Sequence, residues 1–136
     1  MDLKLLKSAK KILIVDDEIA IITVIQKFLK KEGYDVIAFT DPRKAIGFLK
    51  TSYKVDLIIT DLRMPEVSGI FIIQEGAKNN VPAIIISSGI GVQVEEGLKD
   101  FGYENAEVFY KPFDLFKLSE VIEKKLGLKN QGQDKK

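Results

Sequence analysis

The stretch Leu57-Ile58-Ile59-Thr60-Asp61-Leu62-Arg63-Met64-Pro65 decides the fold. A short apolar run without polar alternation reads as a strand buried on both faces, the kind found inside a parallel sheet. It closes on a carboxylate and passes at once into a proline-bearing loop. Working outward, two more runs share this design. Ile12-Leu13-Ile14-Val15 closes on Asp16-Asp17, and Val108-Phe109-Tyr110 leads to Lys111-Pro112. Ligand sites of such sheets lie beyond the carboxyl ends of the strands, so three carboxylates and an ammonium converge on one crevice. Like charges that close repel strongly, and a cation makes the cluster tolerable at neutral pH. Carboxylate oxygens suit a hard divalent ion, Mg²⁺ above all, with Asp16, Asp17 and Asp61 as candidate ligands.

Composition excludes several function classes. A chain of 136 residues with 46% hydrophobic content suits one compact domain with its own core. The formal net charge of +1 carries no bias toward nucleic acid or an acidic membrane, so no direct nucleic-acid binding is expected. Cysteine is absent, which removes disulfides and thiolate metal sites and makes the reducing cytoplasm the expected compartment. Histidine is also absent, which excludes catalytic schemes built on it. No apolar run reaches the length of a membrane span, and Met1 to Lys11 is too polar for a signal peptide. Lys4, Lys7, Lys10 and Lys11 read as a solvated face.

Strand-like and helix-like patterns alternate along the chain. After the first strand, Ile21, Ile25, Phe28 and Leu29 recur at helical spacing, and Gly33 is placed to end that helix. Tyr34 to Phe39 reads as the second strand. Asp41 offers a helix cap with Pro42 at the first helical position, and Ala45, Ile46 and Leu49 supply the buried stripe. Val55 to Thr60 is the third strand, and Ser68 to Lys78 the next helix. Ala83 to Ser87 is the fourth strand. The glycines of Gly89 to Gly102 predict a short or mobile helix flanked by loops. Ala106 to Tyr110 is the fifth strand, and Asp114 caps a last helix with Leu118, Val121, Ile122 and Leu126 on one face. From Lys129 the tail is polar and reads as disordered. Strands joined by helical crossovers form a doubly wound α/β sheet with helices on both faces. The flavodoxin-like order 2-1-3-4-5 is the common solution, and it sets Asp16 and Asp17 beside Asp61, with Ser87 and Lys111 on the same edge.

These residues carry a family resemblance. Ile-Leu-Ile-Val-Asp16-Asp17-Glu18, Thr60-Asp61-Leu62-Arg63-Met64-Pro65-Glu66-Val67-Ser68-Gly69, Ser87-Ser88 and Lys111-Pro112-Phe113 resemble the receiver domains of two-component response regulators. The D-x-x-M-P-x-x-x-G run is the most specific piece. The likeness runs from Lys10 to Leu128, leaving residues 1–9 as an N-terminal extension and 129–136 as a tail. With nothing sizeable after the last helix, the chain is similar to single-domain members such as the chemotaxis regulator. The resemblance implies that Asp61 accepts a phosphoryl group from a kinase phosphohistidine, a transfer that depends on positioning and charge neutralisation. It implies Mg²⁺ held directly by Asp17 and Asp61, through water by Asp16, and by the backbone carbonyl of Arg63. It assigns Lys111 and the Ser87 hydroxyl to the phosphoryl oxygens, and Gly69 and Pro65 to shaping the loop after Asp61. It also implies a cis Lys111–Pro112 bond, inexpensive only before proline. The implied partners are a histidine kinase or phosphotransfer protein and a downstream protein bound in trans, through a face of the Gly89–Gly102 helix, the fifth strand and the last helix.

One position departs from the family. Three residues before the lysine, receivers carry an aromatic that swings inward on phosphorylation; here it is Val108. Tyr110 lies on the same face by strand alternation and is the candidate substitute. Two other classes of function compete with the phosphoacceptor. A phosphate-independent interaction module would not need every acidic-site residue type, and all are present. A turnover enzyme on the same fold fails on sequence: dehalogenase-type hydrolases need an Asp at the position of Arg63, and a nucleotide or flavin site wants a phosphate loop where Asp16-Asp17-Glu18 stands.

Overall fold

The computed structural model describes residues 2–51, 53–88, 91–103 and 106–128. Helix α1 (Leu3–Ser8) precedes β1 (Lys11–Val15), α2 (Ile19–Glu32), β2 (Asp35–Phe39) and α3 (Pro42–Leu49). Then come β3 (Leu57–Asp61), α4 (Gly69–Ala77), β4 (Ala83–Ser87), α5 (Gly91–Asp100), β5 (Glu107–Tyr110) and α6 (Leu115–Lys125). The strands form one sheet in the order β2-β1-β3-β4-β5, every pair parallel. This is the order expected from the sequence.

Side-chain alternation divides the core between the two faces. Ile12, Ile14, Leu57, Ile59, Ile84 and Ile86 point to one side, against Ile22, Ile25 and Leu29 of α2 and Leu118 and Ile122 of α6. Leu13, Val15 and Ile58 point to the other, against Ala45 and Leu49 of α3 and Ile72 of α4. Ile85 continues that second face toward Ile70, Ile73 and Leu98. The central strands are therefore buried on both sides, which is why their sequences are unbroken apolar runs. Each fully buried isoleucine is worth roughly 1.5–3 kcal/mol in transfer from water, so these runs carry much of the fold's driving force.

Caps set the helix starts. Asp41, Ser68 and Asp114 accept from the backbone N–H of Arg43, Ile70 and Phe116 respectively. Helix α2 ends at Gly33, whose φ of 113° is the left-handed conformation glycine adopts freely. The glycine-rich stretch holds a regular helix, α5, across most of its length. Gly89 and the tail from Lys129 lie outside the described residues.

One expectation is overturned. Lys7 is not part of a solvated face: it is 5% exposed, with Nζ 3.1 Å from Glu32 Oε1 and 3.0 Å from Glu123 Oε2. The reason is α1, which packs Leu3 and Leu6 onto the α2/α6 core and carries Lys7 inward with them. Lys7 Nζ also lies over the Tyr34 ring, and the Ser119 hydroxyl donates to Glu32 Oε1. Burial lowers the Lys7 pKa, but the bonds and charges of Glu123 and Glu32 outweigh it, and the ammonium is held above its ordinary value. Lys4 is exposed as expected, and Lys11 pairs with Asp35.

Candidate functional site

The site is built at the carboxyl edge of the sheet, on either side of β3. Val15 is in register with Thr60, so Asp16, the next residue after β1, stands beside Asp61 at the end of β3. Asp61 is in register with Ile86, and Ser87, the last residue of β4, with Tyr110. The Lys111 N–H then donates to the Ser87 carbonyl at 2.7 Å, fixing the backbone from which the lysine reaches back across the edge. The Lys111–Pro112 peptide is cis, as the resemblance implies.

Asp16, Asp61 and Ser87 are buried, at 0%, 2% and 0% exposure. Lys111 Nζ lies 2.7 Å from Asp16 Oδ2, 2.6 Å from Glu18 Oε1 and 3.2 Å from Asp61 Oδ2. The contacts to Glu18 and Asp61 are aligned hydrogen bonds. The one to Asp16 is close but off-axis, an ion pair that leaves Asp16 Oδ2 without an aligned donor among the described residues. Asp16 Oδ1 accepts from the Glu18 N–H at 2.8 Å, and Asp61 Oδ1 from the Arg63 N–H at 3.2 Å. The loop after Asp61 is drawn tight at Gly69, whose N–H donates to the Leu62 carbonyl at 2.9 Å. A Cβ at this position would collide with the Asp61 carbonyl oxygen, so only glycine lets α4 begin so close to β3.

Burial dominates the electrostatics of both aspartates. It pushes the Asp16 carboxyl up, against the lowering effect of Lys111 and the Glu18 N–H, and Asp61 adds a further upward push. Asp61 is likewise raised by burial, partly offset by Lys111 and the Arg63 N–H, with Asp17 pushing it higher. For Lys111 burial works downward, but Asp16, Glu18 and Asp61 together overcome it, and its pKa is raised. The lysine is a fixed cation at neutral pH.

The structure thus brings Asp16, Asp61 and Lys111 into contact and places Ser87 on the same edge. Asp17 is exposed on the loop after β1, where it borders a surface depression with Thr40, Asp41, Arg43 and Glu66. Arg63 is exposed, its backbone turned toward Asp61. The third carboxylate on the lysine is Glu18, which sequence reasoning left without a role; its signal was the third acidic residue of the Asp16-Asp17-Glu18 run. Asp16, Glu18 and Asp61 each offer an oxygen within 4.8 Å of the others, a hard-ligand set compatible with a divalent cation.

Comparison with known proteins bears on the family and the fold. The family model described as response regulator receiver domain matches residues 12–123. The sporulation initiation phosphotransferase F of Bacillus subtilis is 28% identical over 123 residues, covering 89% of this chain and 97% of that protein. The alkaline phosphatase synthesis transcriptional regulatory protein PhoP of the same species is 46% identical over 61 residues, 45% of this chain but only 25% of that protein. Among solved structures, a response regulator receiver domain protein from Clostridium thermocellum superposes with a TM-score of 0.74 at 27% identity, covering 87% of this chain and 94% of that one. With the family model spanning all five strands, the chain belongs to the response regulator receiver domain family, the signalling domains of two-component systems, in which phosphorylation of an aspartate is characteristic.

Proposed function

We propose that this receiver, residues 10–128 of the chain, accepts a phosphoryl group onto Asp61 from the phosphohistidine of a histidine kinase or phosphotransfer protein, and that the modified domain switches its binding to a downstream protein. The observation that carries this reading is the buried Asp61 carboxylate at the end of the central strand, with Lys111 Nζ 3.2 Å from Oδ2. In the transfer an Asp61 oxygen bonds to phosphorus while the phosphorus–nitrogen bond of the donor breaks, its electron pair returning to the imidazole. The chain needs no acid–base residue for this step, which fits its lack of histidine.

The residues at this edge suit Mg²⁺. Their donors are carboxylate oxygens, and Asp16 Oδ2 is buried with no aligned donor among the described residues. Asp16, Asp17, Asp61 and the Arg63 carbonyl would hold the ion, which supplies positive charge to the acceptor and phosphoryl oxygens. Lys111 pairs with the phosphoryl group as a point charge, and Ser87 donates to it through its hydroxyl. Among the described residues no helix is long and apolar enough to cross a membrane. We take the domain to act in the cytoplasm.

Incubation with acetyl phosphate and Mg²⁺, followed by intact-protein mass spectrometry, tests the proposal. One added phosphoryl group is expected, lost in Asp61→Asn and in chelator. Unmodified wild-type protein that still captures a partner would favour the phosphate-independent interaction module instead.

A further inference from the structure

Lys111 is the residue around which the site is organised, and it makes its shortest carboxylate contact with Glu18, at 2.6 Å. Nothing in the local fold requires this. Glu18 occupies the cap position of α2, yet its side chain makes no capping hydrogen bond. Its backbone is pinned, because the Glu18 N–H donates to Asp16 Oδ1. The carboxylate therefore starts from a fixed stem and crosses to a lysine 93 residues away in sequence.

The three partners of Lys111 differ in their freedom to leave. Asp16 and Asp61 side chains are 0% and 3% exposed and sit at strand ends, whereas Glu18 is 55% exposed. A half-exposed carboxylate that lets go of its cation is hydrated at once, while a buried one is left uncompensated. Glu18 is thus the partner that can be exchanged at low cost.

We propose that Glu18 is a positioning residue for Lys111: it holds the ammonium in the resting protein and competes for it with a phosphoryl group on Asp61. This deepens the phosphoacceptor reading and rests on it. Phosphoryl oxygens on Asp61 would draw Lys111 from Glu18, and until then Glu18 adds negative charge where an anionic phosphodonor must approach. Glu18 therefore slows phosphorylation and shortens the lifetime of the phosphorylated state.

The test compares wild type with Glu18→Gln and Glu18→Asp, using acetyl phosphate and Mg²⁺. Gln removes the charge; Asp keeps it on a stem too short to reach Nζ. Removing one charge from a partly hydrated site should raise the phosphorylation rate constant by about fivefold and lengthen the phosphate lifetime similarly. The Asp variant should lengthen the lifetime without matching the rate gain. A second readout is independent of phosphate: the Lys111 ammonium resonance of the resting wild-type protein should shift and exchange faster with water in Glu18→Gln. Rates and resonance unchanged in both variants would overturn the role of Glu18 alone. A loss of Mg²⁺ binding of tenfold or more in Glu18→Gln would overturn it in favour of a metal ligand. Wild-type protein inert to acetyl phosphate while the resonance shifts as expected would refute the phosphoacceptor reading, and with it the competition, while leaving the Glu18–Lys111 contact established.

Discussion

Asp16 and Asp61 are charged groups kept in a place that disfavours charge. Burial raises both carboxyls above their ordinary value, and Lys111 offsets this only in part. A native carboxyl of raised pKa holds its proton at a pH where the unfolded chain has released it. The resulting stability is full below the ordinary carboxylate pKa near 4 and is lost as pH rises through the native value. At neutral pH these two aspartates are a net burden, whereas Lys111, raised in the native state, contributes its full share until pH passes the ordinary lysine value. Asp16→Asn and Asp61→Asn should therefore each stabilise the unphosphorylated protein at pH 7 in chelator by about 1 kcal/mol, with the gain shrinking toward pH 4. Urea melts across that range check it, and a clear loss of stability in both variants would contradict the crowding of carboxylates. The aspartates were legible in the sequence because each closes an apolar run. Glu18 was visible only as the third acidic residue of its run, since its contact with Lys111 depends on the path of a side chain across the sheet edge, which the run does not encode.

At the scale of elements, α1 stands out. Its six residues are too few for hydrophobic periodicity to register, and its charge pattern reads as solvated. The structure instead docks it against α2 and α6, and makes the approach so close that a side chain at Gly33 would press on the Lys4 stem. Lys7 holds the clamp, facing Glu32 on one helix and Glu123 on the other. These carboxylates keep partial contact with water, so the ion pairs are worth less than fully buried ones. Lys7→Met preserves the buried stem and removes the charge, leaving the two carboxylates uncompensated. We expect it to cost about 1–3 kcal/mol in urea denaturation while phosphorylation of Asp61 proceeds at the wild-type rate. A variant as stable as wild type would mean that apolar packing of Leu3 and Leu6 alone holds α1. The longer elements needed no such correction: α2, α3 and α6 were legible from stripes and caps, and differ from expectation by a residue or two at their ends.

The whole molecule places every polar residue of the site at one edge because five parallel strands in the order β2-β1-β3-β4-β5 allow no other arrangement of their carboxyl ends. That much followed from alternating apolar runs and helical stripes. Strand alternation also put Tyr110 on the face of Val108; what packs behind that face did not follow, because it depends on side chains brought in by other elements. The structure puts Val108 and Tyr110 together on the face of the sheet that meets α5, packed with Ile85 and Leu98. Register sets Tyr110 opposite Ser87 and Val108 opposite Ile85, one step deeper. A phosphoryl group on Asp61 that draws Ser87 and Lys111 inward thus pulls on the strand ends flanking Tyr110, while Val108 offers no polar group to respond. Tyr110→Ala should uncouple partner binding from phosphorylation more than Val108→Ala, and leave phosphorylation of Asp61 intact. Amide exchange with and without beryllofluoride, a phosphoryl mimic, locates the response, which should extend from Ser87 through α5 to Tyr110. A response confined to the loop after Asp61 would reject this route, since the mimic would then act on its own loop without moving the strand ends that frame Tyr110.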